Sequence, residues 1–201
     1  MTAIAQRVRR VLVIDDNREI HNDIKKILQP TTASDDFDDL LSDITGKPAS
    51  KTYHAMIQVD SAFQGDEGIK MVRQARMEEQ PYALAFVDMR IPPGLDGLQT
   101  IKKLQMEDDR LQYVIITAHS DYSWQDISNA LTSRDSLLVI KKPFESIEIR
   151  QSASALIEKW QAKEGAYQAQ IQNLKEEKEG VICRYEEEIA SGDISIARKI
   201  S

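Results

Sequence analysis

Short apolar runs alternate with amphipathic stretches along the first 150 residues of the chain. Arg10 to Asp15 reads Arg-Val-Leu-Val-Ile-Asp, an apolar run that ends on acids, with Asp16 next. Asn17 then offers an N-cap, and Ile20, Ile24, Ile27 and Leu28 recur at helical spacing until Pro30. Ala55, Ile57 and Val59 alternate within Tyr53 to Asp60, which predicts a second strand. Gly65 to Gln80 predicts a helix with Ile69, Val72 and Met77 inward, closed by Pro81. The run Leu84-Ala85-Phe86-Val87 stops abruptly at Asp88, ahead of a breaker-rich turn through Pro92-Pro93-Gly94. A run of that length bounded by breakers is the mark of a strand buried on both faces. Leu98, Ile101 and Leu104 predict a helix over 95–106, Leu111 to Thr117 a fourth strand, and Asp121 to Leu131 another helix. Leu137 to Ile140 is a fifth strand, and a long helix begins near Glu145 after Lys141-Lys142-Pro143-Phe144.

Strands that alternate with helices imply an α/β fold with a parallel sheet covered on both faces. A doubly wound five-stranded sheet with flavodoxin-like order 2-1-3-4-5 is the expected topology. That order makes the first and third strands neighbours and sets Asp15 and Asp16 beside Asp88. Three carboxylates at adjacent strand ends repel one another unless a cation offsets them, and Mg2+ suits a site of few carboxylates and retained waters. Thr117 and Lys142 end the fourth and fifth strands on the same edge. A carboxylate, a metal, a hydroxyl and an ammonium are the parts needed to transfer a phosphoryl group onto Asp88.

These residues resemble the receiver domain of two-component response regulators. The resemblance covers roughly residues 8 to 160 and rests on Asp15-Asp16, Asp88, Thr117-Ala118 and Lys142-Pro143-Phe144. It implies that Asp88 is the phospho-acceptor, served by a histidine kinase or phosphotransfer protein. It also implies Asp16, Asp88 and the Arg90 backbone carbonyl as direct Mg2+ ligands, with Asp15 acting through water. Thr117 resembles the switch hydroxyl, Lys142 the phosphate-binding lysine, and Ala118 the small residue that leaves room for the phosphate. Arg90 and His119 would flank that pocket and tune access of water to the phosphoryl group. No independent substrate turnover is expected. Two other readings stand beside this one: a degenerate receiver that only dimerises or docks, and a phosphohydrolase with an aspartyl nucleophile.

Three features depart from the family pattern. The turn Pro92-Pro93-Gly94-Leu95-Asp96-Gly97 is one residue longer than usual. Val139 stands where a switch aromatic is expected, three residues before Lys142. Residues 31–53, with Asp35, Asp36, Asp38, Asp39 and Asp43, form an acidic insertion that reads as a short amphipathic helix and a turn.

Composition narrows the remaining classes. A net charge of −7 and a pI near 5.1 argue against a nucleic-acid surface over the chain as a whole. The cluster Arg7, Arg9, Arg10 reads as a solvated end. No apolar run approaches the ~20 residues that span a bilayer, and the N-terminus lacks a signal-type core, so a cytoplasmic setting without membrane contact is expected. The single cysteine, Cys183, has no internal disulfide partner. The expected organisation is a receiver over 1–150 and a helical extension over 151–201, leading to an output region beyond. Ala153, Trp160, Tyr167, Leu174 and Val181 recur every seven residues there, with Ile157, Ile171 and Tyr185 in the companion seam. A parallel coiled-coil homodimer through residues 153–189 is the expectation, with Glu164, Lys178, Gly165 and Gly180 weakening it; the alternative is a lone helix folded back on the receiver, and Trp160 fits a place capping the receiver's own core as well.

Overall fold

The computed structural model describes residues 8–29, 57–118, 125, 127 and 136–190. In chain order these form β1 (Arg9–Ile14), α1 (Arg18–Leu28), β2 (Ile57–Ala62), α2 (Gly65–Met77) and β3 (Tyr82–Asp88). There follow α3 (Gly97–Glu107), β4 (Gln112–Thr117), β5 (Leu137–Lys141) and α4 (Ser146–Ala190). The five strands make one sheet in the order β2-β1-β3-β4-β5, with every pairing parallel. The fold class and strand order are those expected from the alternation of runs.

The continuous apolar character of β1 and β3 has a direct cause, since each is buried on both faces. Leu12 and Ile14 point into a core with Val72, Ile101 and Leu104, while Val11 and Val13 point into a second core with Ile24, Leu28 and Ile157. The second core also takes Ile149, Ala153, Leu156 and Trp160 from the start of α4. Each Val, Leu or Ile among them contributes about 1.5–3 kcal/mol by leaving water. α1 and α3 start at side-chain caps, the first of them at Asn17 as expected, whereas Gln64 at the start of α2 makes no side-chain cap bond. Asn17 accepts from the Glu19 amide at 2.9 Å, and Asp96 with Gln99 forms a reciprocal capping box at α3.

Several expectations are corrected. α2 ends at Met77, not Gln80, and Met77 is 77% exposed because it occupies the last helical position rather than the inward stripe. β2 runs on to Ala62, two residues past Asp60, since Ala62 pairs with Ile14 and is itself buried. Arg10 is not a solvated end. It donates to Asp60 Oδ2 at 2.7 Å, to the Tyr82 hydroxyl at 2.8 Å and to the Gln80 carbonyl at 3.0 Å, tying together the two strands that flank β1. Of the helix expected over 121–131, Gln125 and Ile127 are described, both helical, with Ile127 buried. Residues 31–53 lie outside the described residues.

The chain divides into two compact units, Met1–Gln161 and Ala162–Ser201. Ala153, Ile157 and Trp160 are buried in the first unit's core, which removes them from any intermolecular seam. The seam expected from residue 153 therefore begins no earlier than Tyr167. Within the second unit Tyr167, Leu174, Val181, Ile182, Tyr185 and Ile189 are exposed on helix. No helix among the described residues is long and apolar enough to cross a membrane.

Candidate functional site

The carboxyl ends of β1, β3, β4 and β5 meet at one edge of the sheet, where open α/β sheets gather ligands. β1 and β3 are adjacent, with Ile14 opposite Val87, so Asp15 and Asp88 follow neighbouring positions. Carboxylate oxygens of Asp15, Asp16 and Asp88 all lie within 4.8 Å of one another. Asp15 is 2% exposed, Asp88 is nearly buried, and Asp16 faces solvent.

Lys142 reaches this cluster from the end of β5. Its Nζ donates to Asp15 Oδ2 at 2.7 Å and lies 3.2 Å from Asp88 Oδ1. The Lys142 amide donates to the Thr117 carbonyl at 2.8 Å, which fixes the lysine to the tip of β4. Burial pushes the Asp88 carboxyl above its ordinary pKa; Lys142 pulls it down, Asp15 pushes it further up, and the net shift is upward. Burial also works against the Lys142 ammonium, but its bond to Asp15 and the charges of Asp15 and Asp88 outweigh this and raise its pKa. Three carboxylates thus face one ammonium. The donor set fits a hard divalent cation, which would neutralise the excess negative charge.

Asp15 is held at four points. Its amide donates to the Ala62 carbonyl at 3.2 Å, and its Oδ1 accepts from the Asn17 amide at 2.8 Å. Lys142 holds Oδ2, and His21 Nε2 meets the Asp15 carbonyl at 2.7 Å. His21 escaped the sequence reading. The available signal was its place on the buried stripe His21, Ile24, Leu28 of α1, where a polar residue needs a partner.

The acceptor turn is built around Gly97. Its amide donates to the Met89 carbonyl at 3.0 Å. A Cβ at that position would lie 2.8 Å from Met89 Cα and closer still to the Asp88 carbonyl oxygen, so the helix start packs directly on the strand end. Of the other residues singled out, Thr117 is buried, whereas Ala118 and Arg90 are exposed. His119 lies outside the described residues. Val139 is 38% exposed beside an exposed Leu138 on β5.

A family model, the response regulator receiver domain, matches residues 49–154, just over half of the chain. The chain belongs to this family. The receiver is 26% identical over 113 residues to sporulation initiation phosphotransferase F from Bacillus subtilis (strain 168), a match that covers 56% of this chain and 78% of the relative. Its fold is similar to a response regulator receiver protein from Sinorhizobium medicae WSM419, with a TM-score of 0.52 at 19% identity over 75% of this chain and 95% of that one. It is similar also to a receiver domain protein from Methanospirillum hungatei JF-1, with a TM-score of 0.51 at 18% identity over 78% and 98%. The family match begins at residue 49, so β1 and its two acids fall outside it. The sheet geometry is what returns Asp15 and Asp16 to the receiver's acidic edge.

Proposed function

We propose that this receiver takes a phosphoryl group onto Asp88 from a phosphohistidine donor in the presence of Mg2+. The observation that carries the reading is Lys142 Nζ set between Asp15 and Asp88 at the meeting of three strand ends. An Asp88 carboxylate oxygen forms the new bond to phosphorus as the phosphorus–nitrogen bond to the donor imidazole breaks, and the leaving nitrogen keeps the electron pair. Lys142 holds positive charge beside the incoming phosphoryl oxygens, and the Thr117 hydroxyl donates to one of them. Asp15, Asp16, Asp88 and the Arg90 carbonyl would hold the Mg2+, which supplies further charge neutralisation. Phosphorylation then shifts a two-state equilibrium that a partner reads. Hydrolysis of other substrates would call for a second acid beside the nucleophile, whereas Met89 is buried and Arg90 is basic.

The decisive experiment incubates the protein with Mg2+ and acetyl phosphate, and then with a phosphohistidine donor. An acid-stable, base-labile adduct is expected, and Asp88→Asn abolishes it. Absence of an adduct from both donors would leave the receiver a docking module.

The exposed apolar residues of the second unit support a further part of this reading, a homodimer formed through residues 167–189. An isolated helix with such a stripe is poorly stable in water, and a second copy offers the matching surface.

A further inference from the structure

His21 is 5% exposed and sits beneath the acidic edge. Its Nε2 lies 2.7 Å from the Asp15 carbonyl, which can only accept, so Nε2 carries the hydrogen. Nδ1 is buried and finds no hydrogen-bond partner among the described residues. The ring packs on Phe63 with centroids 4.6 Å apart, and Phe63 is held in turn by its amide donating to Glu67 Oε2 at 2.6 Å and by the Arg18 guanidinium 5.0 Å from its ring centroid. A buried imidazole that forgoes one of its two hydrogen bonds is tolerated only where the other bond does something the fold needs.

We infer that His21 is a positioning residue for the acidic pair. The Asp15 carbonyl belongs to the peptide that joins Asp15 to Asp16. β1 ends at Ile14, so no strand pairing fixes that peptide plane. Asp15 has its carboxylate anchored by Lys142 and by the Asn17 amide. Asp16 is exposed, and the orientation of its carboxylate depends on the plane of the peptide before it. The bond from His21 sets that plane, and Phe63 sets the ring. His21 thereby preorganises Asp16 toward Asp15 and Asp88 without contacting the ion.

This inference rests on the reading of the acidic edge as a Mg2+ site, and the test separates the two. Mg2+ is titrated calorimetrically into the full chain for wild type, His21→Leu and His21→Gln. Urea unfolding in EDTA establishes that each variant is folded. Leu fills the space without a donor, whereas the Gln amide nitrogen replaces Nε2. The expected result is Mg2+ affinity about tenfold weaker for His21→Leu and within about twofold of wild type for His21→Gln. Equal affinity in all three overturns the inference, and so does equal weakening in both variants, which would reduce His21 to packing. If wild type itself shows no Mg2+ affinity, the metal reading fails, and the inference with it. Should His21→Leu not fold, His21→Met makes the same comparison.

Discussion

Lys142 sets an ammonium against two buried carboxylates, and replacing it by Met removes the charge while keeping most of the length. The side chains of Asp15 and Asp88 are 2% and 11% exposed, and that of Lys142 is 20%. At 2.7 and 3.2 Å, with an effective dielectric of about 20, the gross attractions are about 6 and 5 kcal/mol. Desolvation of the three groups offsets much of that, and breaking a buried pair by deleting one partner costs about 3–5 kcal/mol. A fifth of the lysine remains in water, so the lower end applies, about 3 kcal/mol for Lys142→Met without metal. For a chain of this size that is a fall of about 6–12 °C in Tm. Thermal and urea unfolding in EDTA measure it. Asp88→Asn in the same background should recover at least about 1 kcal/mol, because one of the two orphaned carboxylates is gone. Millimolar Mg2+ should recover more, by mass action on the folded state alone. The reasoning is refuted if Lys142→Met matches wild type in EDTA, or if its cost is the same with and without Asp88.

The remaining predictions concern the turn, the pH response, the far end of the sheet and the second unit. Asp88 has a raised folded pKa, so as pH rises past its ordinary value the unfolded chain ionises first and folding stability falls. Asp88→Asn without Mg2+ should therefore be more stable than wild type at neutral pH, with the gain vanishing below the carboxylate range; a gain independent of pH would contradict the assignment. Gly97→Ala drives a Cβ into the Asp88–Met89 backbone and should cost about 1–3 kcal/mol in urea unfolding while slowing adduct formation. Burial works to raise the Asp60 carboxyl, but bonds from Gln58, Arg10 and Tyr82 prevail and hold its pKa below the ordinary value. The stability this supplies is present at neutral pH and lost as pH falls, and Arg10→Met should remove about 1 kcal/mol of it near pH 7 and little in acid. Sedimentation of the full chain against one ending at Gln161 should show a dimer only for the former; two monomers would rule out the 167–189 seam.

The strand ends were legible because burial on both faces leaves a sharp boundary between apolar residues and the first acid. Asp88, Asp15 and Asp16 each stand at such a boundary, and the alternation of elements was enough to make them neighbours. Contacts that depend on three-dimensional direction were not legible. Met77 fits a helical stripe by spacing, yet the helix ends under it. Trp160 fits a seven-residue repeat and a cap on the receiver's core equally well by spacing, and the structure takes the second, since covering a core outweighs keeping the ring for a partner. Arg10 looked like an exposed cation because its partners, Asp60 and Tyr82, are brought to it only by strand pairing.

The acceptor turn is fixed at both ends. Its start is pinned where the Met89 amide donates to the Ile116 carbonyl at 3.3 Å, and its end where the Gly97 amide returns to the Met89 carbonyl at 3.0 Å. Between these points Ile91 is buried at 2%, while Pro92, Pro93 and Gly94 are exposed. Gly94 has a φ of +119° with nothing near a would-be Cβ, so the turn faces outward in a conformation that glycine adopts without strain. The capping box at Asp96 then starts α3. Between these two fixed points the turn forms a rim of the site, while the sheet holds the carboxylates. Replacing Gly94 by Ala should therefore lower stability through its φ alone and leave Mg2+ affinity unchanged, whereas Gly97→Ala, at the pinned end, should change both.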